Sequence, residues 1–279
     1  MVVPTGSGKT LAAALVPMIS LAREPRARAD RLGLLYVSPL RAVARDIARA
    51  LQEINQREGL GLRVEERTGD TSAYRKRKQL NDMPDVLLTT PESASLLLSH
   101  PGRRERFAGL HTVVVDEWHE LLGNKRGALL QLTLSAVRSA APGARHWGLS
   151  ATLAEPAPAA RALVGPTADP VIISESTRRA LSIEALVPAE VDSFPWGGHL
   201  GLQMRDLLLE RLDPETSTLI FTNTRNQAER WFTALSEAAP HMDGRIGLHH
   251  GSIQQDLRGE VEERLRDGRI RWVVATSSL

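Results

Sequence analysis

Val3-Pro4-Thr5-Gly6-Ser7-Gly8-Lys9-Thr10, at the start of a 279-residue chain, is the stretch on which the fold turns. It follows a short apolar strand and leads into the helical run Leu11 to Leu21. In a strand, loop and helix of this kind, successive backbone N–H groups and the helix N-terminus cradle phosphates. The lysine reaches the β and γ oxygens, and the hydroxyl after it ligates magnesium. The glycines let the chain wrap closely around the anion. Thr5, Gly6, Ser7, Gly8, Lys9 and Thr10 are therefore the expected P-loop for ATP, with Thr10 as a ligand of Mg2+. The first position is Val3 where the general pattern has glycine, and the competing reading is a Gly-rich turn with a solvated lysine.

Outward from this loop, short apolar runs recur at Leu34 to Val37, Val86 to Thr89, Thr112 to Val115 and His146 to Leu149. They recur again at Thr218 to Phe221, Arg245 to Leu248 and Trp272 to Ala275. They read as buried strands of parallel sheets, and segments such as Ala42 to Ile54 and Gln227 to Leu235 carry apolar residues at helical spacing between them. The fold class is α/β. The proline-bearing stretch Pro166 to Pro195 interrupts the series, which places a domain boundary near Thr177 and predicts domains over 1–176 and 177–279.

One of these strands ends in Asp116-Glu117-Trp118-His119. Two adjacent carboxylates at the C-terminal edge of an α/β sheet lie where such sheets bind ligands. Asp116 is expected to hold magnesium and Glu117 to polarise the water that attacks the γ-phosphate. Alone, an acidic pair there also suits a helix N-terminus. Together with the P-loop it points to nucleotide chemistry.

Composition sets the limits. An apolar fraction of 42% with 24% charge is that of a folded globular protein, and 279 residues suggest two domains at a prior of roughly 150 each. Without cysteine there is neither disulfide nor thiolate metal site, which fits a reducing cytosol. No run approaches the roughly 20 apolar residues of a membrane span and no signal peptide opens the chain, so the expected setting is cytoplasmic. A net charge of only +2 means that any grip on nucleic acid must come from local charge and backbone donors.

Beyond the P-loop, Ser38-Pro39-Leu40-Arg41-Ala42 resembles motif Ia of superfamily 2 helicases, Thr89-Thr90-Pro91-Glu92-Ser93 motif Ib, and Gly148-Leu149-Ser150-Ala151-Thr152-Leu153 motif III. Phe221-Thr222-Asn223-Thr224-Arg225 is similar to motif IV, His249-His250-Gly251-Ser252 to a strand-contacting loop, and Val274 to Leu279 to the opening of motif V. Asp116 to Leu121 with Lys125-Arg126-Gly127, and Phe194 to Gly201, resemble the large helicase-related (Lhr-type) proteins and within them the ligase-associated DEXH-box helicases. The resemblance implies two RecA-like P-loop domains with parallel sheets, the second incomplete. It implies Mg2+ and ATP as cofactors and a single strand of DNA as partner, with association to a DNA ligase and a nuclease and work in DNA repair.

By the same resemblance, Lys9, Asp116 and Glu117 carry hydrolysis, and Ser150 and Thr152 link the nucleotide site through His119 to strand-dependent closure. Arg41, Thr90, Ser93, Asn223, Arg225, Ser252 and Thr276 contact the strand. Hydroxyls, backbone N–H groups and helix N-termini suit a grip that reads no sequence. Taken singly, each of these residues could be a cap or a solvated side chain, and Ser150 with Thr152 a turn capping the next helix.

Two departures from the family pattern bear on activity. The segment that usually recognises adenine would precede Met1, and the chain stops within motif V, before the motif VI arginines. An arginine finger contributes about 10³ to 10⁵ in rate, so impaired hydrolysis is the expectation. RNA stays open as the strand, since no residue identifiably reads a 2′-hydroxyl. A non-catalytic nucleic-acid-binding module is the alternative of a different class.

Overall fold

The computed structural model describes residues 1–4, 8–23, 32–166, 168–175, 182–187 and 200–276. The chain divides into two compact units, Met1–Arg179 and Ala180–Leu279. The boundary expected near Thr177 lies outside the described residues, as do Thr5, Gly6, Ser7 and the stretch 188–199. Among the described residues no helix is long and apolar enough to cross a membrane.

In the first unit, α1 (Lys9–Arg23), β1 (Leu34–Val37), α2 (Arg41–Arg57), β2 (Val64–Arg67), α3 (Ala73–Asn81) and β3 (Val86–Thr89) come first. They are followed by α4 (Pro91–Ser99), α5 (Arg103–Phe107), β4 (Thr112–Val115), α6 (Trp118–Leu121), α7 (Lys125–Ala140), β5 (Arg145–Gly148) and α8 (Pro156–Val164). The five strands form one parallel sheet in the order β2-β3-β1-β4-β5. The central strands β3, β1 and β4 are buried along their whole length, which is why they read as continuous apolar runs.

Strand alternation divides the core into two layers. Leu34 and Tyr36 of β1 join Ala13 and Met18 of α1 and Ala48 and Leu51 of α2 on one face. Leu35 and Val37 join Leu97 of α4 and Leu130 and Leu134 of α7 on the other. Beyond β5, Val2 bridges Ser150 and Ser174, so the residues leading into the P-loop run beside the end of β5.

The second unit holds α9 (Leu200–Gln203), α10 (Arg205–Leu209), β6 (Thr218–Phe221), α11 (Arg225–Ala238), β7 (Ile246–His249), α12 (Gln255–Arg266) and β8 (Trp272–Ala275). A 3-10 turn, Pro240–Met242, precedes β7. Its described strands form a parallel sheet in the order β6-β8-β7, with Val274 and Ala228 in the core on the α11 side and Val273 with Val261 on the α12 side. Both units are thus α/β with parallel sheets, as expected.

The structure corrects the strand assignment in one place and shifts it in two. β2 was not expected from the sequence: Val64-Glu65-Glu66-Arg67 looks too charged for a sheet. It is an edge strand, and Arg63 and Gln79 bond the Glu65 carboxylate at 2.9 Å each, so its charge is compensated within the fold. β5 and β7 are each displaced by one residue from the expected runs.

Candidate functional site

Four of the five strands of the first sheet deliver a nominated segment to the same edge. Ser38 follows β1, Thr90 follows β3, Asp116 follows β4 and Ser150 follows β5 by one residue. This is the carboxyl edge, where parallel sheets bind ligands. In the second unit, Asn223, Ser252 and Thr276 likewise follow the C-terminal ends of β6, β7 and β8.

At the P-loop, Gly8 has φ +83°, a left-handed turn that favours glycine, and the chain enters α1 at Lys9. Lys9 is only 7% exposed, and its amine donates to the Val3 carbonyl at 3.0 Å. Asp116 is 4% exposed. Its Oδ1 accepts from the Glu117 N–H at 2.9 Å and its Oδ2 accepts from the Tyr36 hydroxyl at 2.7 Å. The same hydroxyl lies 3.5 Å from Thr10 Oγ1. Burial first, and then the charge of Asp116, push the Tyr36 pKa far above the ordinary tyrosine range, so the phenol stays protonated and donates.

Glu117 has φ +43°, the one positive φ at a non-glycine residue among those described. Such a conformation costs of order 1–3 kcal/mol and persists only where the surroundings impose it. The Glu117 Oε2 is buried yet accepts no hydrogen bond, with His119 Nδ1 3.5 Å away. His119 Nδ1 bonds Ser150 Oγ at 2.8 Å, and Ser150 Oγ donates its single proton to the Thr152 carbonyl at 2.8 Å. The proton on that first bond must therefore be carried by His119 Nδ1. A continuous path runs from Glu117 through His119 and Ser150 to Thr152, whose own side chain is exposed.

These groups suit a nucleotide and a hard cation. The oxygens of Thr10 and Asp116 are the ligands magnesium takes, the buried Lys9 amine pairs with no carboxylate among the described residues, and Glu117 keeps an unsatisfied buried oxygen.

The residues nominated for strand contact fare differently from one another. Arg41 opens α2, is well exposed, and pairs with Asp70 at 2.9 Å. Thr90 and Ser93 are buried: Thr90 caps α4 by accepting from the Ser93 N–H, and its hydroxyl bonds the Ser93 hydroxyl at 3.3 Å. The structure gives both a local capping task. Asn223 and Arg225 are exposed at the start of α11, Ser252 is exposed and donates its N–H to His250 Nδ1, and Thr276 donates its N–H to the His249 carbonyl.

Two groups escaped the sequence reading. In the sequence Tyr36 reads only as part of the apolar run Leu34 to Val37. Arg126, in α7, bonds both oxygens of Glu92 in α4, at 2.6 and 3.3 Å, and the Pro39 carbonyl at 2.7 Å. It thereby ties the segment resembling motif Ia to that resembling motif Ib. The signal was the Lys125-Arg126-Gly127 stretch, noted for its resemblance without a role.

Comparison with known proteins agrees with this arrangement. Residues 1–159 match the DEAD/DEAH box helicase family, and residues 203–279 match the helicase conserved C-terminal domain. The chain is 37% identical over 296 residues to ATP-dependent helicase Lhr-Core protein 2 of Thermococcus barophilus, covering 99% of this chain and 34% of that protein. It is 32% identical over 341 residues to the Lhr helicase/uracil glycosylase of Escherichia coli, covering 100% of this chain and 22% of that protein. The chain thus spans about a third or less of the length of these relatives. Among solved structures, the Mycobacterium smegmatis helicase Lhr bound to ssDNA and AMP-PNP matches with a TM-score of 0.80 and 35% identity, over 100% of this chain and 37% of that one. The two units are RecA-like helicase folds of the Lhr type, and the chain belongs to the DEAD/DEAH box helicase family.

Proposed function

We propose that this chain binds ATP with magnesium on its first unit and couples hydrolysis to movement along single-stranded DNA. The observation that carries the reading is the meeting of Lys9 and Thr10 with Asp116 and Glu117 at one sheet edge, where Glu117 retains a buried, unbonded oxygen.

In this reading the backbone from Thr5 to Thr10 and the Lys9 amine hold the phosphates. Thr10 and Asp116 hold Mg2+, which neutralises charge on the phosphate oxygens when bound. Glu117 Oε2 accepts the proton of the attacking water, because no donor in the fold already occupies it. His119, 3.5 Å from that carboxylate and bonded to Ser150, sits between it and the Ser150-Ala151-Thr152 turn, the route by which a bound strand would be felt at the nucleotide. Arg41, Asn223, Arg225, Ser252 and Thr276 supply contacts to the phosphate backbone from the two sheet edges. At Thr90 and Ser93 the loop backbone, held by their mutual cap, serves the strand in place of the hydroxyls.

DNA as the strand is supported by the M. smegmatis Lhr structure, which holds ssDNA and AMP-PNP. A repair setting is supported by the E. coli relative, named for both helicase and uracil glycosylase. Association with a DNA ligase and a nuclease belongs to the same reading.

The test is binding of a fluorescent AMP-PNP analogue, with and without Mg2+, followed by ATP turnover with no strand, ssDNA or RNA of equal length. Lys9→Ala should abolish binding. Glu117→Gln should bind as tightly as the native chain while turnover falls about 10² to 10⁴-fold. Equal binding by the native chain and Lys9→Ala would refute the site, and stimulation by RNA but not DNA would reassign the strand.

A further inference from the structure

β1 is buried at all four positions, and Tyr36 is its one residue with a polar side-chain atom. Tyr36 belongs to a layer with Ala13, Leu34, Leu88 and Val114, whose other fully buried members are all aliphatic or methionine. Burying a hydroxyl in such a layer is unfavourable unless it is bonded, and this one is bonded at the nucleotide edge of the sheet. It donates to Asp116 Oδ2 at 2.7 Å and lies 3.5 Å from Thr10 Oγ1.

A phenol has one proton, and the shorter contact to a carboxylate takes it. Towards Thr10 the phenol oxygen can therefore only accept. That orientation turns the Thr10 proton to Tyr36 and its lone pairs away from it. Asp116 is fixed at its other oxygen by the Glu117 N–H. The strand register explains the placement: Tyr36 is paired with Val114, two residues before Asp116, while its face of the sheet is the one covered by α1, which Thr10 helps to open.

We propose that Tyr36 is a positioning residue for the divalent cation, its hydroxyl holding Thr10 and Asp116 so that both present oxygen lone pairs to one ion. The proposal rests on the reading of Thr10 and Asp116 as cation ligands. Groups that orient ligands in this way typically contribute about 10- to 100-fold to metal affinity.

The experiment uses Mn2+ as the probe, followed by electron paramagnetic resonance in the presence of AMP-PNP, on the whole chain and on Tyr36→Phe. The dissociation constant for Mn2+ should rise about 10- to 100-fold in the variant, with nucleotide affinity in EDTA unchanged. Equal Mn2+ affinity overturns the proposal. So does a loss of cation-free nucleotide affinity equal to the loss of Mn2+ affinity, since that would be the mark of packing alone. Native protein that binds nucleotide no better with Mn2+ than without it removes the ligand reading itself, and Tyr36 with it, a result distinct from failure of the variant alone.

Should Tyr36→Phe not fold, a second measurement leaves Tyr36 in place. The chain has two tyrosines, and Tyr74 is 76% exposed on α3. In a Tyr74→Phe background, 3-fluorotyrosine reports Tyr36 alone by 19F NMR. Adding Mg2+ to the AMP-PNP complex should shift its resonance, and an unmoved resonance overturns the proposal.

Discussion

Replacing Gly127 by alanine should destabilise the first unit far more than its chemistry suggests. A Cβ added there would lie 1.7 Å from the Leu121 carbonyl oxygen and 2.7 Å from its carbon, against the 3.4 Å at which ordinary contact begins. Both partners are backbone, so no flexible side chain can yield. Leu121 is fully buried in the core beside Leu130, and the first turn of α7 is held by Asn124, whose Oδ1 accepts from the Gly127 N–H at 3.0 Å.

Relief requires α6 and α7 to separate by more than an ångström. Loss of the Asn124 cap costs about 1 kcal/mol. Repacking around Leu121 costs about 1–3 kcal/mol more. For a unit of this size the total of about 2–4 kcal/mol lowers Tm by roughly 5–15 °C. Thermal melts followed by circular dichroism measure it, with Gly123→Ala as the comparison. Gly123 has φ +77° but no atom within 4 Å of an added Cβ, so it loses only the left-handed backbone preference, about 1–2 kcal/mol. A Gly127→Ala chain that melts no lower than Gly123→Ala would refute the close approach of α6 and α7.

Two further outcomes follow from charge. Arg126, chiefly through its hydrogen bond, holds the Glu92 carboxyl below the usual carboxylate range. The pair is more than a third exposed, so Arg126→Gln should lose less than about 1 kcal/mol. Because the folded pKa is the lower one, the Glu92 part of that contribution is present at neutral pH and disappears as pH falls through the lowered value, so the gap in urea midpoint between variant and native chain should narrow in acid to what the Pro39 bond contributes. A gap that does not narrow there would contradict the ion pair. Burial, and secondarily Arg138, lower the pKa of His146, whose Nε2 is buried without a hydrogen bond. The unfolded chain then takes up the proton first, and stability falls as pH drops from the ordinary imidazole range to the lowered value. His146→Gln should flatten that part of the profile, and an unchanged slope would exclude His146 as its source.

The sequence alone determined the parts whose physics is local. Leu34 to Val37, Val86 to Thr89 and Thr112 to Val115 are strands within those same bounds because strands covered on both faces must be apolar throughout. The glycines before Lys9 and the carboxylates after Val115 were legible because a phosphate-binding turn and a sheet edge need those residue types in sequence. Only the tertiary structure decided the rest. β2 was hidden because Glu65 and Glu66 look like surface until the fold brings Arg63 and Gln79 onto the Glu65 carboxylate and Arg45 within 3.9 Å of that of Glu66. Arg126 meets Pro39 and Glu92 across 87 and 34 residues, a separation at which no local pattern operates. Tyr36 could be recognised as more than core only once strand pairing set it beside Val114 and brought its hydroxyl to Asp116, because hydrogen-bond partners distant in the chain are chosen by the fold and not by spacing.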